Sequence, residues 1–432
     1  MNTTDRPAKC RGGALVLGRA NVKRLAALLV VGLSIGTVAL AQGPAPAAQT
    51  AGGGRPVQTT FRPPHIPNAR GTDFGAGYPC DQLTNYGQAQ PQAAMPFAPY
   101  GASSPTPGPA PAVALPTFLA PVAPAATSQF GAGGMNARNS IVPDAPKLPY
   151  RFVAAPQPPR GTQAFGNVNG VGLLKNGRLI VNQRLPMYQT LEYTADNRLT
   201  RVINPNMLSK PHGMRIDAQD NIWFTDVQCH RVIKMNAMGE VLLTLGSPTG
   251  AAGTWDEAKG AHLFNEPTDL AFGKNGDVFV ATGHGGPDPR VVRFDKNGKF
   301  ITTWSLKPED GSRANIHTIA VNAKNEVFAA DREVKRIIVT DANGRRLRVL
   351  QMQHLVCGLY VDAKDQLWMT AGFDGMVMRL DWNGKILGYI GQTGFGENDF
   401  NEPHYMTITP DGKTIYVGDT VANNIKKLEL IS

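Results

Sequence analysis

The chain has 432 residues, 42% of them hydrophobic, with 43 Lys and Arg against 33 Asp and Glu. Its length admits more than one domain, while four cysteines are too few for a disulfide framework. Half of the +10 formal charge sits in residues 1–24, where six basic residues face one acid. The remaining +5 or so is spread thinly, which argues against nucleic acid as a partner.

The basic front is followed by a short apolar run, residues 25–40 (LAALLVVGLSIGTVAL), that ends in Ala39-Leu40-Ala41. A basic region, an apolar core and a small-x-small end predict a signal peptide over residues 1–41. The run is shorter than the ~20 apolar residues of a spanning helix, so no stable membrane insertion is expected after cleavage. An exported chain, periplasmic or extracellular, follows.

Residues 42–158 are rich in Pro, Ala and Gly and show no sustained period of two or of 3.6. Such a stretch cannot bury enough apolar surface to offset its ordering entropy, so a disordered stalk is expected, and nothing in it specifies a partner. After cleavage three cysteines remain: Cys80 in the stalk, and Cys229 and Cys357 in different later repeats. That leaves room for one bridge.

Residues 159–432 predict an all-β fold. Six strand-turn-strand units align on the residue opening an inner strand: Val171, Met214, Leu270, Ile319, Leu359 and Met406. They are 43, 56, 49, 40 and 47 residues apart, the spacing of four-stranded propeller blades. The last unit stops one strand short, and a strand near residues 149–154 is expected to complete it. A six-bladed β-propeller is the expectation, because ring closure removes the sheet edges that a linear stack would expose.

In such a ring the residues opening the inner strands face the axis: Asn169, His212, Thr268, His317, Cys357 and His404. Histidine occupies alternate positions, which places three imidazoles about 120° apart around one channel. A lone buried histidine is more often a satisfied polar residue than a ligand. Three at one repeat position, in alternating units only, point instead to a metal site on His212, His317 and His404 with an open coordination position, suited to Zn²⁺. Arg184 and Arg332 end second strands at the same rim, where a guanidinium is suited to a substrate carboxylate. Cys357 reads as a small buried apolar residue. His230 reads as packing beside the site, and His262 and His354 are assigned no role.

Segments 210–235 (KPHGMRIDAQDNIWFTDVQCHRVIKM), 265–294, 317–337 (HTIAVNAKNEVFAADREVKRI) and 402–419 (EPHYMTITPDGKTIYVGD) carry a specific combination of motifs. Through them, residues 166–430 resemble peptidyl-α-hydroxyglycine α-amidating lyase (peptidylamidoglycolate lyase), an NHL-type propeller enzyme. The resemblance implies zinc on His212, His317 and His404, arginines Arg184 and Arg332 on the substrate carboxylate, and cleavage of a carbinolamide to an amide and glyoxylate. The substrate expected is thus a small carboxylate-bearing or peptidyl compound.

Three departures stand out. The family's catalytic tyrosine falls in Thr282-Gly283-His284-Gly285-Gly286, which makes His284 the candidate base, with a reference pKa of ~6.5. The carboxylate of the family's structural Ca²⁺ is replaced by Tyr405, and a methionine by Glu402. The alternative readings are a non-catalytic NHL propeller that binds protein or cell envelope and keeps only a structural metal, and a calcium-dependent lactonase-like hydrolase, which the axial histidines disfavour.

Overall fold

In the computed structural model the described residues are Cys80 and 141–432, apart from 161, 163, 185–189 and 204–207. The expected signal peptide lies outside them, as does most of the expected stalk. Six four-stranded antiparallel sheets follow one another. Blade 1 is Val168–Leu173, Leu179–Gln183, Thr190–Tyr193 and Leu199–Val202. Blade 2 is Pro211–Ile216, Ile222–Asp226, Arg231–Met235 and Val241–Gly246. Blade 3 is Pro267–Phe272, Val278–Thr282, Arg290–Phe294 and Phe300–Ser305, and blade 4 is Ile316–Val321, Val327–Asp331, Arg336–Thr340 and Arg346–Gln351. Blade 5 is Val356–Val361, Leu367–Ala371, Met376–Leu380 and Ile386–Ile390. Among the described residues no helix is long and apolar enough to cross a membrane.

Blade 6 draws Pro403–Ile408, Thr414–Asp419 and Asn424–Leu430 from the end of the chain and its fourth strand, Tyr150–Val153, from far upstream. Tyr150 pairs with Leu430 and Val153 with Lys427. The closing strand is the one expected, and it lies ahead of residue 159, inside the stretch whose composition reads as stalk. Short and half-exposed, it carries too little apolar periodicity to stand out from its Pro-rich surroundings. Phe152 packs on Phe400 at 5.3 Å and Tyr150 edge-on to Trp368 at 6.3 Å.

The core is distributed between blades. Met214 and Phe224 of blade 2 pack with Ile180 of blade 1. Tyr416 and Ile425 of blade 6 close the circle onto Val168, Val171 and Val181 of blade 1. Between neighbouring strands the turns use Asp and Asn as internal caps. Asp217 accepts from the Asn221 N–H at 2.9 Å and from the indole N–H of Trp223 at 2.9 Å. Asp362 does the same for Gln366 and Trp368, again at 2.9 Å. Asp220 and Asp365 adopt positive φ in these turns, as short polar side chains tolerate. The long spacing between the second and third units is a small hairpin, Trp255–Asp256 with Ala261–His262.

One disulfide joins Cys80 to Cys229, and Cys357 is free and buried. The Arg231 guanidinium also donates to the Cys80 carbonyl at 3.0 Å.

Because Tyr150–Val153 closes the ring, a chain beginning at residue 159 is expected to lose about 3 kcal/mol or more relative to one beginning at 141, from two half-buried aromatics and a strand of ladder bonds. The urea midpoint of the two proteins measures it.

Candidate metal centre

Every inner strand breaks register at the residue facing the axis. The shift falls at Val168/Gly170, Pro211/Met214, Pro267/Asp269, Ile316/Thr318, Val356/Gly358 and Pro403/Met406. A bulge re-aims a side chain that regular pleating would direct into the neighbouring blade. The first residues past these anchors are Asn169, His212, Thr268, His317, Cys357 and His404, the six positions aligned from the repeats, and Gly213 and Tyr405 also fall in the two longer gaps.

His212, His317 and His404 are 1%, 1% and 3% exposed. Their ring centroids stand 4.5 Å (212–317), 4.8 Å (212–404) and 5.1 Å (317–404) apart. One ligand atom from each lies within 4.8 Å of the others. The tautomers follow from the partners. His212 Nδ1 lies 2.8 Å from the Thr268 carbonyl, His317 Nδ1 2.7 Å from that of Cys357, and His404 Nδ1 3.3 Å from that of Asn169. A carbonyl only accepts, so each Nδ1 carries the proton and each Nε2 turns a lone pair towards the axis. Histidine blades thus lean on the axial carbonyls of the blades between them.

His212 Nε2 and His317 Nε2 are 3.2 Å apart. Tetrahedral zinc bonded to nitrogen at about 2.0–2.1 Å would set neighbouring nitrogens about 3.3 Å apart. The His212–His317 spacing matches that value, so the donor set fits zinc once His317 Nε2 exchanges its Arg332 hydrogen bond for the metal.

One carboxylate holds the backbone ahead of each histidine. Asp226 accepts from the Ser209 and Lys210 N–H groups at 2.8 and 3.0 Å. Asp331 accepts from Asn315 at 2.9 Å, and Asp419 from Asn401 and Glu402 at 2.6 and 3.1 Å. All three end the second strand of a histidine blade. Residue-type reasoning at the axis missed them, although WFTD, FAAD and YVGD stand in the sequence in register.

The remaining site residues gather at the same mouth. The His284 ring centroid is 4.6 Å from that of His212 and 5.4 Å from that of His317. Arg332 donates from Nη1 to His317 Nε2 at 3.1 Å and from Nε to Glu333 at 3.0 Å. Arg184 is fixed by the Pro211 carbonyl at 3.0 Å and the Asn167 side chain at 2.9 Å. Glu402 adds a buried carboxylate, 3.8 Å from Arg332 and bonded to the Thr420 hydroxyl.

Burial is the dominant force on these groups. It drives the three ligand histidines well below the usual range, aided by the charges around them. It pushes Arg184 down to about 10 and Cys357 up to about 12. Glu402 is raised, since burial outweighs Thr420 and Arg332. His284 is pushed to about 3, by burial first and then by Arg332, Arg184 and Lys210. The near-neutral titration expected of His284 therefore does not hold for the ligand-free pocket: the guanidiniums that would hold an anion also weaken the base beside them.

Other histidines are accounted for structurally. His230 accepts the Glu266 N–H at 3.0 Å, His354 meets Asp374 at 3.1 Å, and His262 stacks on Trp255 at 5.0 Å.

The calcium implied by the resemblance does not fit. The Tyr405 side chain, 1% exposed, fills the level beneath the histidines. The carboxylate there, Asp269, already accepts from five donors: Arg215 twice, Leu270, Thr318 and Ile319. A hard cation needs anionic oxygens it can claim.

No protein-family model matches the chain. Peptidyl-alpha-hydroxyglycine alpha-amidating lyase 2 of Drosophila melanogaster is 25% identical over 227 residues, 51% of this chain and 54% of that protein. The propeller is a relative of the peptidyl-α-hydroxyglycine α-amidating lyases. Peptidyl-glycine alpha-amidating monooxygenase of Mus musculus is 30% identical over 246 residues, 52% of this chain and 24% of that protein. NHL repeat-containing protein 3 of Mus musculus is 31% identical over 180 residues, 38% of this chain and 49% of that protein. The lyase-like propeller thus spans about half or less of the length of these relatives. Among solved structures, a streptogramin B lyase covers 65% of this chain and 98% of its own at 15% identity, with a TM-score of 0.47.

Two outcomes follow. Asp226→Asn turns one acceptor into a donor facing a backbone N–H, and is expected to cut zinc affinity about 10–100-fold by competition titration. The second concerns pH. With native pKa values depressed, the unfolded chain binds protons that the folded one refuses, so stability rises with pH. In metal-free protein this contribution is complete above about 6.5 and is lost as pH falls towards the depressed values, about 3 for His284. Tm should therefore drop steadily from pH 7 to pH 5, and zinc, which binds only the neutral imidazoles, should raise Tm without flattening that slope.

Proposed function

We propose that this chain is an exported zinc-dependent lyase that cleaves a carbinolamide C–N bond in a carboxylate-bearing or peptidyl substrate, releasing an amide and glyoxylate or a related small carboxylate. The observation that carries this reading is the convergence of three imidazoles, each oriented by an Nδ1–carbonyl bond, beside two arginines and a further imidazole. Zinc on His212, His317 and His404 would supply Lewis-acid polarisation of a substrate oxygen.

The chain's own residues do the rest. Arg184 and Arg332 hold the substrate carboxylate at the mouth. His284, neutral at pH 7, offers a lone pair to the substrate hydroxyl. As that O–H proton passes to the imidazole, the carbon–oxygen double bond forms and the C–N bond breaks, and the imidazolium returns the proton to the leaving amide nitrogen. Burial is the main cause of the weakened His284, and a bound carboxylate would offset part of the remaining effect of Arg332, Arg184 and Lys210, so substrate binding strengthens the base that acts on it. Burial keeps bulk water from the three histidines.

Zinc-loaded protein is expected to release glyoxylate from an α-hydroxyglycine peptide, and no release would retire this reaction. His284→Ala should lower kcat about 10²–10⁴-fold with zinc still bound. Unchanged turnover would remove His284 from the mechanism. Arg184→Lys, which loses the planar fork, should raise KM more than it lowers kcat.

A further inference from the structure

Immediately beneath the three imidazoles, one buried ion pair ties together five of the six blades. Arg215, on the inner strand of blade 2, reaches Asp269 of blade 3 with Nε at 3.0 Å and Nη2 at 2.6 Å. Nη2 also donates to the Leu359 carbonyl of blade 5 at 2.9 Å. The guanidinium carbon lies 4.8 Å from the ring centroid of Tyr405, on blade 6. Blade 4 contributes the Thr318 hydroxyl and the Ile319 N–H, which donate to Asp269 at 2.8 and 3.1 Å, and the same hydroxyl accepts the Leu359 N–H at 3.0 Å. Arg215 and Asp269 side chains are 12% and 0% exposed.

The cluster also touches the metal ligands. The Tyr405 hydroxyl donates to the His317 carbonyl at 3.2 Å and lies 3.4 Å from His212 Nδ1. On its other side Arg215 borders the opposite mouth of the channel, lined by Val171, Leu270, Ile319 and Tyr360. The guanidinium is a fixed positive charge at the ring's centre, coordinated by carboxylate, carbonyl and aromatic face from separate blades.

We propose that Arg215 is a built-in axial cation: with Asp269 and Tyr405 it pins the blades together and positions His212 and His317, so that neither the fold nor the three-histidine centre takes calcium. The bonding is that of a structural metal site, with covalently attached charge replacing a bound ion. A guanidinium suits the place because it is planar, always charged, forks onto a carboxylate and stacks on an aromatic ring. Removing one member of such a buried pair leaves its partner as an uncompensated charge. Arg215 and Tyr405 are positioning residues here, and the inference concerns metal binding and stability whatever reaction the site performs.

The test uses the full chain, stripped of metal and reloaded with one zinc per molecule. Calcium chloride titrated calorimetrically up to millimolar concentration is expected to give no saturable heat and no change in Tm. Arg215→Gln should lower Tm by about 8 °C or more, and zinc affinity by about tenfold in a competition assay. Tyr405→Phe, which removes only the hydroxyl, should fold and still lose zinc affinity several-fold. Stoichiometric calcium binding that raises the wild-type Tm would overturn the proposal. So would an Arg215→Gln protein with unaltered Tm and zinc affinity. If Arg215→Gln does not fold, Tyr405→Phe decides, and unchanged zinc affinity there removes the positioning role. A wild type that binds no zinc sinks the metal centre, while the calcium titration and the Arg215→Gln Tm still judge the pin.

Discussion

The arrangement of this molecule depends on hydrogen bonds between neighbouring blades at the axis. Each ligand histidine gives its Nδ1 hydrogen to a main-chain carbonyl of the next blade. For His404 of blade 6 the acceptor is Asn169 of blade 1, so that one bond requires the ring to be closed. Each such bond leaves Nε2 unprotonated and aimed inward. The strand Tyr150–Val153, far from the histidines in sequence, completes the sheet that carries His404. The bulge in each inner strand is the local device that turns these side chains to the axis.

Charge is layered along the channel. At the mouth, Arg184 and Arg332 face Glu402; below them lie neutral imidazoles; below those, Arg215 and Asp269 neutralise each other under Tyr405. The imidazoles are kept neutral by burial and by positive neighbours, which is the protonation state a metal ligand requires. The same forces weaken His284 in the absence of an anion. In the proposed reaction cation and anion would share the pocket, and each would make the other's place less costly.

Much of this was readable in the sequence. The repeat register identified the six axial positions, and histidine at every second one gave the centre its composition. The acids of WFTD, FAAD and YVGD were equally visible, but their role depends on backbone N–H groups 16–18 residues upstream. The pairing of Arg215 with Asp269, 54 residues away, could not be read because inner strands of different blades meet only across a closed channel. Cys80–Cys229 was one of the open pairings, since spacing does not give connectivity. The downward shift of His284 from its reference value was not readable, because it comes first from burial and then from Arg332, Arg184 and Lys210, all remote in sequence.

The central claim is that three imidazoles grip one zinc and leave a position open. Zinc K-edge X-ray absorption on the metal-loaded full chain tests it most directly. The account predicts three imidazole nitrogens at about 2.0–2.1 Å and one exchangeable oxygen. A shell of six oxygens, or one containing fewer than three imidazoles, would contradict it.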